Sequence, residues 1–329
     1  MSEDGAAWSR PTTVPCSEME TVGAVVSGKF RERLSIYRRK IETKMFARVN
    51  RVLGRRPSSF PYVSGDSFRR LATHIFEASS QLSPLSVRAG DVIFCETHRL
   101  REFALNVLPA ITHPVVLVSH NSDHAVDSKV ADIADTRVVS AWFAQNNLLN
   151  HPKVVSIPIG LENAHHHSHG IVGDFESLRL RSGQQEKVPR ILASFTISTN
   201  PEERQAACLA LQQSRVSDWV RLHSRQYRET VQRYMYVASP QGNGIDCHRT
   251  WEAFYLGAIP VVRRTAFLEG FQGLPVLLVN HWSEVVELEE AELGESFSLM
   301  RPKVESCPYL WMPYWEKRIA DARIMAIRS

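Results

Sequence analysis

Nine short apolar segments, most of them rich in Val and Ile and set apart by longer stretches of helical spacing, constrain this chain more than any other feature. They are Asp91–Cys95, Pro114–Ser119, Arg137–Ala141, Lys153–Pro158, Arg190–Phe195, Trp219–His223, Tyr234–Ser239, Ile259–Val262 and Pro275–Val279. Short apolar runs of this kind mark parallel strands covered on both faces. Parallel neighbours need a crossover, so Ser67–Ser79, His98–Leu108, Ala125–Ala134 and Phe143–Asn150 are expected to be helices. The fold class that follows is α/β, in two similar parallel-sheet halves, which suits 329 residues of which 43% are hydrophobic.

The halves are expected over residues 58–162 and 188–307, with a C-terminal helix over 308–329. Between them, residues 163–187 lose the pattern. This polar stretch, with His165, His166, His167 and His169, reads as a linker whose histidines lie in a solvated loop, since no cysteine or carboxylate stands at ligand spacing. Residues 1–57 form a separate piece: a tail over 1–28, then a helix over Lys29–Arg56 with Phe30, Leu34, Tyr37, Ile41, Met45, Val49 and Val52 at spacings of three and four.

Charge divides unevenly along the chain. Residues 1–60 hold 12 Lys or Arg against 6 Asp or Glu, and the remainder hold 27 against 29. A nearly neutral body argues against a nucleic-acid partner. For the basic helix two readings stay open, packing on the body or reversible attachment to an anionic membrane surface. No apolar run approaches the ~18 residues of a membrane span and no secretory leader is apparent, so a cytoplasmic location is expected, with peripheral contact to the inner face of a membrane if that helix binds lipid. Five cysteines without a Cys-x-x-Cys pair are expected to be reduced thiols.

The chemistry concentrates in Ser239-Pro240-Gln241-Gly242-Asn243-Gly244-Ile245-Asp246-Cys247-His248-Arg249-Thr250-Trp251-Glu252-Ala253, followed by Gly257-Ala258-Ile259-Pro260-Val261-Val262. This reads as strand, glycine turn, helix, strand. Gly242 and Gly244 admit close approach of the backbone, and the helix start near Asp246 offers its positive end to a diphosphate. His248, Arg249 and Glu252 share one helical face. There a guanidinium meets phosphate and a carboxylate accepts from sugar hydroxyls, unless the two form an ordinary ion pair.

That string resembles the signature of exostosin-like glycosyltransferases. Val63-Ser64-Gly65-Asp66, Ser119-His120-Asn121-Ser122-Asp123, Trp142-Phe143-Ala144-Gln145-Asn146 and Ile157-Pro158-Ile159-Gly160-Leu161-Glu162 are similar to segments of the bacterial branch. The resemblance spans roughly Tyr62 to Trp315. It implies a GT-B fold, two Rossmann-like domains facing across a cleft, and transfer of a sugar from a nucleotide-sugar donor to a glycan or lipid-linked acceptor. It also implies Gly242, Asn243 and Gly244 at the diphosphate, together with Asp246 and His248, Arg249 on phosphate and Glu252 on ribose. Tyr314 and Trp315 are expected to cross back to the first half. The donor is expected to be a UDP-sugar in preference to a GDP-sugar.

None of the eleven aspartates stands in an Asp-x-Asp pair, so no metal cofactor is expected. An inverting transfer needs a base near the acceptor hydroxyl, at a strand end of the first half. Asp123 is the first choice, His120 and Asp66 follow, and Glu96 is a reserve; Asp123 could equally cap a helix starting near His124. Two other functions remain open at this level, a non-catalytic sugar-nucleotide-binding protein and another GT-B reaction such as sugar-nucleotide epimerisation.

Overall fold

The computed structural model describes residues 41, 42, 44–50, 52–80, 82–166, 169–182 and 186–329. Met1–Gly54 and Arg55–Ser329 are separate units. Of the basic helix expected over Lys29–Arg56, residues 29–40, 43 and 51 lie outside the described residues, as does the tail over 1–28. Residues 41, 42, 44–50 and 52 are helical, and the backbone turns out of the helix at Gly54, whose φ of +59° suits glycine.

The second unit is α/β, with two five-stranded, wholly parallel sheets. The first holds β1 (His74–Phe76), β2 (Val92–Glu96), β3 (Val115–His120), β4 (Val139–Ala144) and β5 (Val154–Ser156), side by side in chain order. Two expectations are corrected here. Ser67–Ser79 is a short helix, Gly65–Arg69, followed by strand β1; and Phe143 and Ala144 belong to β4, with a loop beyond them in place of a helix over Phe143–Asn150.

Chain-order strands have a physical consequence. Right-handed crossovers that all step in one direction lie on a single face of the sheet. Ile93, Cys95, Val115, Leu117 and Trp142 accordingly pack with Leu100, Phe103, Leu108 and Ile133 of the crossovers. The alternate residues Val92, Phe94, Val116, Val118 and Phe143 face the other way, where no crossover covers them. That face is closed by Gly65–Arg69 and by the C-terminal helix Met312–Arg328, which returns across β3 and β4. Phe68 and Trp315 meet there at 6.0 Å, and Arg323 Nε donates to Gly90 O at 2.9 Å.

The second sheet holds β6 (Val188–Ala193), β7 (Ser217–Trp219), β8 (Tyr234–Ala238), β9 (Ile259–Arg263) and β10 (Leu277–Val279), in the order β10-β9-β8-β6-β7. The direction of winding reverses between β6 and β8. In open parallel sheets such a reversal leaves a crevice beyond the carboxyl ends of the two strands, and ligands bind there.

The expected linker over 163–187 is corrected in part. Its described residues include a helix, Val172–Ser182, whose Phe175 and Leu178 are buried in the core shared by both sheets. Arg228, 2% exposed, donates to Asp174 Oδ2 at 2.6 Å and fixes that helix to the second sheet's surroundings.

Trp315 is fully buried, and its Nε1 donates to Tyr309 O at 3.0 Å. Trp315→Ala is expected to cost about 3–5 kcal/mol, through the cavity left on the uncovered face of the first sheet. Equilibrium urea unfolding reads this directly. A loss below 1 kcal/mol would mean that the returning helix does not hold that face.

Candidate functional site

Three hollows lie in a row along the carboxyl ends of the strands. The first, about 690 Å³, opens beyond β6 and β7 and is walled by Phe195, Trp219, Tyr227, Arg249 and Glu252. The second, about 270 Å³, surrounds the glycine turn and shares Arg249 and Glu252 with the first. The third, about 490 Å³, lies beyond β2, β3 and β4 and shares Asp123 and His248 with the second. Gly242, Asn243, Gly244, Asp246, His248, Arg249 and Glu252 all line the middle hollow, so the structure brings the whole set together.

Within that set the roles divide. Asp246 is buried and turned inward: its carboxylate accepts from Ile159 N at 2.7 Å and Trp251 Nε1 at 2.9 Å, while its own N–H donates to Asn146 Oδ1 at 2.9 Å. His248 engages Gly160 O through Nδ1 at 2.7 Å. Both residues therefore join the second sheet's turn to loops of the first. The glycines serve the same closeness. A Cβ on Gly244 would lie 2.9 Å from Asn146 Nδ2, and one on Gly242 3.0 Å from Arg204 Nη2, so any side chain forces a neighbour to move. Their lack of a side chain admits protein groups as well as a ligand.

Arg249 and Glu252 are different. They form no ion pair with each other, and Glu252, 7% exposed, has neither a hydrogen bond nor an ion pair among the described residues. Among the described residues, Arg249 Nε and Tyr227 Oη are buried without hydrogen-bond partners, and the Arg249 guanidinium stands 5.6 Å from the centre of the Tyr227 ring. Burial pushes the Tyr227 hydroxyl well above its ordinary pKa, so it stays a neutral donor. A guanidinium nitrogen and a phenol hydroxyl left buried and unsatisfied are costly, and Glu252 adds, among the described residues, a carboxylate without a donor on the wall of the same hollow.

Arg204 belongs with them, although nothing in the motif points to it. It is 6% exposed on helix Pro201–Gln213, where Asn200 caps the helix and Pro201 opens it, after β6 and the 3-10 turn Ile197–Thr199. Its Nη1 donates to Thr196 O and its Nε to Gln241 O, each at 2.8 Å, so it ties together the loops beyond β6 and β8 at the point where the winding reverses. No carboxylate pairs with it among the described residues. Its neighbour Glu203 is taken by Arg263 at 2.7 Å. The Asn-Pro helix start after a strand is the sequence signal that could have drawn attention to this turn.

The candidate bases are now distinguishable. His120 is buried; its Nδ1 accepts from Asn121 N at 2.7 Å and its Nε2 meets Pro158 O at 3.2 Å, so both ring nitrogens are occupied. Burial lowers its pKa to about 4, and it is neutral near pH 7. Asp66 does not reach the hollow. It lies wholly buried behind Arg56 and His165, at 3.2 and 2.5 Å. Burial raises its pKa, but the hydrogen bond from His165 and the charge of Arg56 together outweigh burial and hold it below the ordinary aspartate range. Asp123 is exposed where the second and third hollows meet. It caps no helix; the next 3-10 turn, Ser128–Val130, is capped by Asp127. His165 and His166, expected in a solvated loop, line the third hollow. Glu96 lines it too.

No protein-family model and no curated protein matches the chain. Among the described residues, no three metal-ligating side chains come together, and no helix is long and apolar enough to cross a membrane.

Burial raises the Asp246 pKa to about 7. Between the ordinary aspartate range near 4 and that value, the folded chain keeps a proton that the unfolded chain releases, so this residue's contribution to stability is lost as pH rises across the window. His120, with its lowered pKa, acts in the opposite sense over an overlapping range. The difference in urea midpoint between wild type and Asp246→Asn is therefore expected to shrink as pH rises from 4.5 to 7.5. A pH-independent difference would show that Asp246 titrates normally.

Proposed function

We propose that this chain is an exostosin-like glycosyltransferase of the GT-B type, moving a sugar from a nucleotide-sugar donor, a UDP-sugar in preference to a GDP-sugar, to a glycan or lipid-linked acceptor. The observation that carries the reading is the set of unsatisfied groups where the second sheet reverses its winding. Among the described residues, Arg204 and Arg249 are guanidiniums without carboxylate partners beside a glycine turn and a helix N-terminus, and Glu252, 7% exposed, lines the same hollow with a carboxylate that has no donor. A nucleoside diphosphate supplies the complement. Its phosphates satisfy the arginines and the helix end, its ribose hydroxyls donate to Glu252, and its base enters the hollow beside Phe195, Trp219 and Tyr227.

The transfer is an inverting displacement. The acceptor hydroxyl oxygen attacks the anomeric carbon, the bond from that carbon to the diphosphate oxygen breaks, and the hydroxyl proton passes to the Asp123 carboxylate. Asp123 is the one of the three candidates that is both exposed to the hollows and, among the described residues, free of a protein partner. Charge growing on the leaving diphosphate is met by fixed groups, Arg204 and Arg249, which need no reorganisation as the bond breaks.

Thermal unfolding with a panel of UDP-, GDP- and CMP-sugars tests the first half of this reading, because a ligand that binds the folded chain raises its Tm. A UDP-sugar is expected to give the largest rise. Calorimetry should then show Arg204→Met, Arg249→Ala and Glu252→Ala each weakening donor binding by about 10- to 100-fold, as loss of a charge-assisted bond does. Asp123→Asn is expected to retain donor binding and lose turnover by at least about 100-fold. Donor binding with no transfer in the wild type would instead favour the non-catalytic alternative.

The basic N-terminal segment supports attachment to an anionic membrane surface. Removal of residues 1–57 is expected to abolish co-sedimentation with anionic vesicles at low salt. Equal sedimentation of the truncated chain would remove the segment from that role.

A further inference from the structure

Resting on the glycosyltransferase reading, we infer that the 490 Å³ hollow beyond β2, β3 and β4 takes the uncharged, hydroxyl-rich end of a sugar acceptor, and that Gln145 selects it. Gln145 follows the last residue of β4 and is 1% exposed. It lines the hollow, yet among the described residues neither its amide oxygen nor its amide nitrogen has a hydrogen-bond partner. A buried amide with both ends open lacks one donor and one acceptor at the same place. Neighbouring sugar hydroxyls provide that pair, since each hydroxyl both donates and accepts.

The surrounding charges narrow the class further. Glu96, Asp123 and Glu162 line the hollow, whereas its single guanidinium, Arg56, already pairs with Asp66 at 3.2 Å. His165 is engaged by the same aspartate, and burial lowers the pKa of His166, which disfavours its charged form. Carboxylates accept readily from hydroxyls but repel a second anion. A uronate or a phosphorylated sugar is therefore excluded.

Saturation-transfer NMR on the full chain tests this with methyl glucoside and methyl galactoside against the same sugars oxidised to C6 carboxylates. The neutral glycosides are expected to bind, and the carboxylates about tenfold or more weakly. Gln145→Leu, which keeps the volume and removes the unsatisfied amide, is expected to weaken neutral-glycoside binding about tenfold or more while Tm holds or rises. A purely structural glutamine would instead lower Tm on substitution and leave glycoside binding in proportion to folded protein. No binding of either neutral glycoside, equal binding of the carboxylates, or unchanged binding by Gln145→Leu overturns the inference. UDP calorimetry on the same preparations separates this from the reading beneath it. Glycoside binding through Gln145 without UDP binding defeats the nucleotide-sugar function but leaves the cavity's specificity, whereas UDP binding with any of the three adverse results defeats the cavity alone.

Discussion

The hollows depend on a short seam where the glycine turn of the second sheet presses against strand-end loops of the first. Asp246 accepts from Ile159 N, Asn146 accepts from Asp246 N, and His248 engages Gly160 O. Each bond crosses from one sheet's loops to the other's, and each is buried or nearly so. Asn146 Nδ2 also donates to Ser122 O at 3.2 Å, beside Asp123, and the helix that starts at His248 carries Arg249 and Glu252, so the seam sets the spacing between them. Asn146 holds this position with a left-handed backbone, φ +52°, which asparagine tolerates better than most residues.

The seam also explains why a costly carboxylate sits where it does. An aspartate with a pKa near 7 is partly protonated at neutral pH, and burial is the largest cause of that shift. Its two donors from Ile159 and Trp251 offset part of the cost, and what remains is borne by a site that must hold its geometry. Arg204 presents the same economy with the opposite charge. Two carbonyl bonds support it, but among the described residues no carboxylate neutralises it, so a desolvated cation stands beside the glycine turn. Burying a cation without a counter-charge costs stability that a well-packed apolar side chain of similar volume would not.

How far the sequence reveals this depends on the range of the interaction. The glycine turn, its helix and the Arg249–Glu252 face are local, and three-residue spacing on a helix is enough to place them together. The strands with four or more consecutive apolar residues, such as β3, could be read directly. Strand β1 could not, because His74-Ile75-Phe76 is too short for a periodic signal and borrows its pairing from β2. The order of the strands is a further step removed. It is decided by which crossover passes which neighbour, so neither the chain-order winding of the first sheet nor the reversal between β6 and β8 has a local mark.

Arg204 and Gln145 are harder for the same reason. In sequence Arg204 is one cation in the first turns of a polar helix, indistinguishable from a solvated residue. What makes it unusual is the absence of a counter-charge, and that is a property of everything around it after folding. Gln145 is one polar residue after an apolar strand, and that its amide is buried without a partner among the described residues emerges only in the folded chain. Glu252 is the intermediate case: its face on the helix is legible, its lack of a partner is not. Unsatisfied groups are identified by interactions the folded chain fails to make, and a sequence records only the groups that are present.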